Sequence, residues 1–230
     1  MKHTKFSNNS LRQIDQYFDD YISAQKIAGC SLLLWQSEAE RYTMFKGVQD
    51  LESGTPVSRD TIFRIYSMTK PVASVALMML WDRGYFDLND PIARFLPKFN
   101  EMTLYRPDGD HVSAAGQIKM QHVLNHTAGF ILPAFSEHPL REFYVSDGVN
   151  GSRSEGTLTD VIDRLANKPL LFEPGTRWEY SMATDVVGHL IEVIDGRPFD
   201  TFLQEEIFAP LGLVDTGFHL SSNKISRFAG

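Results

Sequence analysis

The chain has 230 residues, and at roughly 150 residues per domain that is one large domain or two small ones. Its composition is 43% hydrophobic, 12% aromatic and 22% charged, which excludes a disordered, collagen-like or coiled-coil chain. A net charge of -7 argues against a nucleic-acid binder or an anionic-membrane binder, and the single cysteine, Cys30, excludes an internal disulfide and a Cys-built metal site.

Residues Leu11 to Lys26 read as an amphipathic helix, with Leu11, Ile14, Phe18 and Ile22 at helical spacing, Ser10 as N-cap and Gly29 beyond the end. The apolar runs Cys30 to Gln36 and Tyr42 to Phe45 flank a polar Ser37-Glu38-Ala39-Glu40, which predicts a β-hairpin. Asp50 to Asp60 is rich in turn residues. Phe63 to Arg83 is the most apolar helix candidate, and Gly84 marks its end. A short turn or helix runs from Asp90 to Phe95, Tyr105 to Gln117 is irregular, and a short helix spans Ile118 to Asn125. Pro133 to Gly156 reads as a long loop region. Further helices span Thr157 to Asn167 (capped by Thr157 or Thr159), Thr184 to Ile194 and Phe199 to Phe208. The longest apolar stretch, Pro71 to Trp81, is about half the roughly 20 residues that cross a bilayer. The polar start, Met1 to Ser10, carries no apolar signal core, so a cytoplasmic location is the default expectation.

Ser67-Met68-Thr69-Lys70 is an S-x-x-K tetrad. The pattern recurs at Ser23-Ala24-Gln25-Lys26 and Ser221-Ser222-Asn223-Lys224, but only Ser67 opens a long apolar helix. A helix N-terminus carries unpaired N–H groups and partial positive charge, which favour a developing oxyanion. Pro71 fits the first turn, where its missing N–H is not needed. Residues three apart share a helix face, so Lys70 can reach Ser67, and a buried Lys gives up its proton more readily. The alternative is a capping serine beside a solvated lysine, and the tetrad alone does not decide.

Tyr180-Ser181-Met182 follows Glu173-Pro174-Gly175-Thr176. A loop Tyr can pass protons between nucleophile and leaving group. Taken alone, Tyr180 reads first as an aromatic packed beside Trp178. In Leu124-Asn125-His126-Thr127-Ala128-Gly129-Phe130, His126 reads as a structural residue at a helix end. The histidines lack metal-ligand spacing, and no G-x-S-x-G elbow or nucleotide-binding glycine motif is present, so no metal or cofactor is expected. The aromatics from Phe130 to Tyr144 suit either a substrate pocket or cover for the core.

As a set, Phe63 to Lys70, Gly84 to Pro91, Leu124 to Gly129, Phe172 to Thr176 with Tyr180-Ser181, and Pro210 to Leu213 resemble the serine β-lactamase and penicillin-binding-protein superfamily. The nearest likeness is to its class C enzymes and family VIII carboxylesterases. The resemblance implies an α/β (α+β) fold: an antiparallel sheet flanked by helices, plus a mostly helical subdomain. Residues 1–62 would hold the first helix and two strands, and residues 63–230 the helical part with both motifs. By the same resemblance Ser67 is the acylated nucleophile, Lys70 its base partner and Tyr180 the proton shuttle. The Ser67 backbone N–H, Tyr66 and Met182 would line the oxyanion and substrate pocket, and His126 and Gly129 would be structural.

Two departures bear on function. Where such β-lactamases carry Asn two residues after the Tyr, this chain has Met182, a much weaker hydrogen-bond partner. A serine carboxylesterase acting on short or medium acyl esters is therefore expected ahead of a β-lactamase or DD-peptidase, and ahead of a non-catalytic binding member. The third family motif, a K-T-G-like triplet, does not follow Tyr180; Asp215-Thr216-Gly217 resembles a different segment. The family's C-terminal strands are likewise absent, so the chain resembles the N-terminal part of a longer enzyme. Leu32, Leu34 and Met44 would then lack partner strands, and a second polypeptide segment or chain is expected to complete the sheet. The expected partner is otherwise a small ester substrate, with no nucleic acid and no membrane.

Overall fold

A computed structural model describes residues 6–36 and 38–230. Residues 1–5 of the polar start and Ser37 of the expected hairpin turn lie outside them. The described residues form two compact units, one up to Ile65 together with Phe218–Gly230, the other Tyr66–Gly217.

In the first unit, helix α1 (Asn8–Ser23) starts earlier than expected. Ser7, not Ser10, is the cap: its hydroxyl accepts the Ser10 N–H at 3.0 Å. Strands β1 (Gly29–Gln36) and β2 (Ala39–Gly47) form the expected antiparallel hairpin, with Leu32 opposite Met44 and Leu34 opposite Tyr42. α1 covers this face. Lys46 Nζ on β2 donates to Asp19 Oδ2 on α1 at 2.6 Å, and the Tyr42 hydroxyl donates to Asp15. Met44 is buried, and Leu32 and Leu34 are half-buried. Side chains alternate along a strand, so the exposed apolar residues are Leu33, Trp35 and Phe45 on the opposite face.

The last residues return to this unit. The Ile62 N–H donates to the Arg227 carbonyl at 2.7 Å, Ala229 N–H to Ile62 at 2.9 Å, and Gln49 Nε2 to Ser226 at 2.8 Å. Phe63 and Ile65 are therefore not helical, although the apolar run from Phe63 suggested it.

The second unit is mainly helical. Its principal helices are α2 (Thr69–Asp82), α3 (Met120–Leu124), α4 (Leu140–Val145), α5 (Leu158–Leu165), α6 (Ala183–Asp195) and α7 (Phe199–Leu203), which runs on as a wider π-helical turn over Gln204–Phe208. α2 begins six residues later than its apolar run because Tyr66 takes φ +43, which no right-handed helix accommodates. Two short elements sit where irregular chain was expected. One is β4 (Val112–Ser113), which pairs with β3 (Thr103–Leu104) just before the irregular stretch; the other is α4. Of the two cap candidates, Thr157 caps α5, and it does so in a capping box, with Asp160 N–H to Thr157 Oγ1 at 3.2 Å and Thr157 N–H to Asp160 Oδ2 at 2.8 Å. Gly196 at φ +91 ends α6, its N–H donating to the Glu192 carbonyl at 2.8 Å.

The core lies where α2 packs on α6. Leu77 and Leu80 of α2 and Leu190 and Ile191 of α6 are fully buried, joined by Leu165 of α5 and Phe202 of α7. Burying each such side chain contributes about 1.5–3 kcal/mol. That packing fixes the N-termini of α2 and α6, which carry the site.

Candidate active site

Ser67 lies in a tight 3-10 turn, Tyr66–Met68, directly before α2. It is exposed. Its predecessor Tyr66 holds a left-handed backbone that a non-glycine residue adopts only when its surroundings impose it. Lys70, in the first turn of α2, comes back over Ser67, with Nζ 3.5 Å from Oγ. It is half-buried, more exposed than the buried base the tetrad suggested.

Tyr180 arrives from the loop before α6. Its hydroxyl is 2.7 Å from Ser67 Oγ, and Lys70 Nζ lies 4.9 Å from its ring centroid. The tetrad and the Tyr motif thus meet at one serine oxygen. Burial alone would raise the Tyr180 pKa, but hydrogen bonds to Lys70 and Ser67 and the Lys70 charge outweigh it, so the phenol is more acidic than an ordinary tyrosine.

The Tyr180 loop is laced to the segment after α3. Gly175 N–H donates to the Thr127 carbonyl at 2.8 Å, Glu179 N–H to His126 at 3.0 Å, and Met182 N–H to Ile131 at 3.3 Å. Gly129, at φ +91, lets this segment approach closely: a Cβ there would lie 2.6 Å from the Phe172 carbonyl oxygen. His126 and Gly129 thus support the loop.

The other two pocket candidates differ in placement. Met182 is fully buried in the helical core at the start of α6 and presents no surface to a substrate. Tyr66, beside Ser67 in the same turn, is 77% exposed. The aromatic loop divides: Phe130 and Tyr144 are core, while Phe135 is 78% exposed with its ring 6.3 Å from Tyr180. Trp178, 63% exposed, flanks Tyr180 at 6.5 Å.

Asp185 went unrecognised in the sequence. It sits in the first turn of α6, and its charge acts on both Lys70 and Tyr180. Burial raises its pKa, and the Lys70 charge opposes that. Among the described residues no group of His, Cys, Asp and Glu could hold a metal ion. No helix among them is long and apolar enough to cross a membrane.

The sequence profile of the family described as Beta-lactamase matches residues 14–230. Esterase EstB of Burkholderia gladioli is 31% identical over 219 residues, covering 94% of this chain and 53% of the esterase. A monacolin J acid methylbutanoyltransferase of Aspergillus terreus is 32% identical over 170 residues, covering 72% of this chain and 40% of the transferase. Among solved structures, EstCE1, a hydrolase with promiscuous acyltransferase activity, superimposes with a TM-score of 0.80 at 30% identity, covering 95% of this chain and 55% of that one. The chain spans about half the length of the relatives it matches.

Proposed function

The chain belongs to the beta-lactamase family and has its fold, and from that premise we propose that it carries the acyl-enzyme machinery of a serine hydrolase acting on carboxylic esters of short or medium acyl chains. The observation that carries this reading is the convergence of Tyr180 and Lys70 on Ser67 Oγ.

The chemistry follows from that arrangement. Tyr180, its phenolate favoured by the Lys70 charge, takes the Ser67 proton as Oγ bonds to the ester carbonyl carbon. The tetrahedral intermediate collapses, the ester C–O bond breaks, and the phenol returns the proton to the leaving alcohol. Water then attacks the acyl-enzyme, Tyr180 takes its proton, and Ser67 leaves with that proton restored. The net change is ester plus water to acid plus alcohol. Likeness to Esterase EstB and to the hydrolase EstCE1 supports a carboxylic ester as substrate ahead of a β-lactam.

A second reading, acyl transfer to an alcohol, is supported by likeness to a methylbutanoyltransferase and to a hydrolase with acyltransferase activity. It uses the same acyl-enzyme, with an acceptor alcohol in place of water.

The test is intact-mass spectrometry before and after reaction with a phosphonate ester, with peptide mapping. An adduct on Ser67 supports the reading, and its absence from this chain overturns it. Nitrocefin turnover exceeding ester turnover would favour a β-lactamase instead.

A further inference from the structure

Both neighbours of Tyr180 are tied to one residue. The His126 carbonyl accepts the Glu179 N–H at 3.0 Å. His126 Nδ1 faces the Ser181 N–H at 3.3 Å and the Ser181 hydroxyl at 3.2 Å. The imidazole lies against the Tyr180 ring, centroids 5.1 Å apart. To present its backbone and its ring to the same loop, His126 takes φ +59.

A ring nitrogen that accepts a backbone N–H carries no proton. His126 therefore serves the loop as a neutral imidazole. In the imidazolium both nitrogens are donors, and the Ser181 N–H, on a residue only 2% exposed, loses its acceptor. The protonated ring would also face the Lys70 charge from α2.

We propose that His126 is the positioning residue for Tyr180, holding the phenol against Ser67 while the imidazole is neutral and releasing it when the imidazole is protonated. The kinetic side of this rests on the hydrolase reading above; the structural side does not. The groups that act on the pair are Lys70 from α2, the Tyr180 phenol from the loop, and Asp185 from α6 through Lys70 and Tyr180. Burial first, and Lys70 second, bring the His126 pKa below its ordinary 6.5. The sign is therefore set: positioning is complete at neutral pH and is lost as pH falls through that lowered value.

The test labels the chain with tyrosine carrying 13C at the ring carbon that bears the hydroxyl. The Tyr180 resonance, assigned with Tyr180→Phe, is followed by NMR from about pH 8 to about pH 4 beside the His126 ring resonances. The expected result is a Tyr180 shift with the same midpoint as His126, below pH 6.5. In His126→Asn the shift vanishes, because asparagine tolerates the left-handed backbone and keeps an acceptor that does not titrate. Phosphonate labelling of Ser67 falls with pH in both chains as the Tyr180 phenolate is lost; below the His126 midpoint the parent chain should fall by about a further tenfold per pH unit, and His126→Asn should lack that extra fall. A Tyr180 resonance that holds still while His126 titrates overturns the proposal. Should His126→Asn fail to fold, the two midpoints in the parent chain still decide. A Ser67 that never reacts overturns the hydrolase reading, while the NMR still decides the positioning role.

Discussion

The Tyr180 hydroxyl stands 2.7 Å from Ser67 Oγ across 113 residues of sequence. Two helix N-termini make this possible, because Ser67 lies in the turn that leads into α2, Tyr180 precedes α6, and these helices share the core.

Removing each partner should have a different effect. Ser67→Ala removes the attacking oxygen and should abolish phosphonate labelling. Tyr180→Phe removes the proton acceptor and should slow labelling by about 10²–10⁴-fold, the range of general acid–base catalysis. Lys70→Met should slow labelling and move the Tyr180 pKa up, since Lys70 favours the phenolate. Stopped-flow labelling and ultraviolet titration of the phenol measure both effects. A Tyr180→Phe chain reacting at the parent rate would remove the phenol from the mechanism.

Asp185 sets a second pH dependence. Its charge opposes the Tyr180 phenolate, while Lys70 supports it. Labelling should rise with pH as Tyr180 deprotonates, with a midpoint below the ordinary tyrosine value of 10.0. Asp185→Asn removes the opposing charge, so that midpoint should move to lower pH. A move to higher pH would show that Asp185 acts mainly by placing Lys70.

Ser67 and Lys70 were legible because one turn of helix relates them, and local spacing is what a sequence records. Tyr180 stood out only through its motif. His126 was readable as structural, but its contact with Ser181 spans 55 residues, so its ring role was not. The start of α2 was misplaced because Phe63 and Ile65 carry the apolar pattern upstream of the Ser67 turn, and side-chain pattern does not record that Tyr66 turns left-handed. The pairing of Ile62 with Arg227 and Ala229 rests on backbone hydrogen bonds, which leave no side-chain pattern. Met182 drew attention as a departure from a motif, yet its position is a packing position.

Gly129 and Gly196 separate backbone strain from contact. Both have φ +91, so alanine at either should cost about 1–3 kcal/mol from the backbone alone. A Cβ at Gly196 meets nothing within 4 Å, whereas at Gly129 it lies 2.6 Å from the Phe172 carbonyl oxygen. Gly129→Ala should therefore lower the urea midpoint further than Gly196→Ala, and it should slow Ser67 labelling by displacing the Tyr180 loop. Equal midpoints would mean that the segment relaxes away from Phe172 without cost.

Phe135 and Trp178 should set the preference for the acyl group. Both are exposed large aromatics beside Tyr180, and neither is needed by the core. An acyl chain held against them removes apolar surface from water, at about 0.8 kcal/mol per buried methylene. Lengthening the acyl group by one methylene should thus improve kcat/KM by up to about fourfold in the parent chain. Phe135→Ala should flatten that dependence while leaving the smallest acyl ester nearly unaffected, and Trp178→Ala should do the same if its ring borders the acyl side. Comparing p-nitrophenyl esters of increasing chain length across the variants measures this. A parallel loss for every chain length would instead show that Phe135 supports the Tyr180 ring and does not contact the substrate.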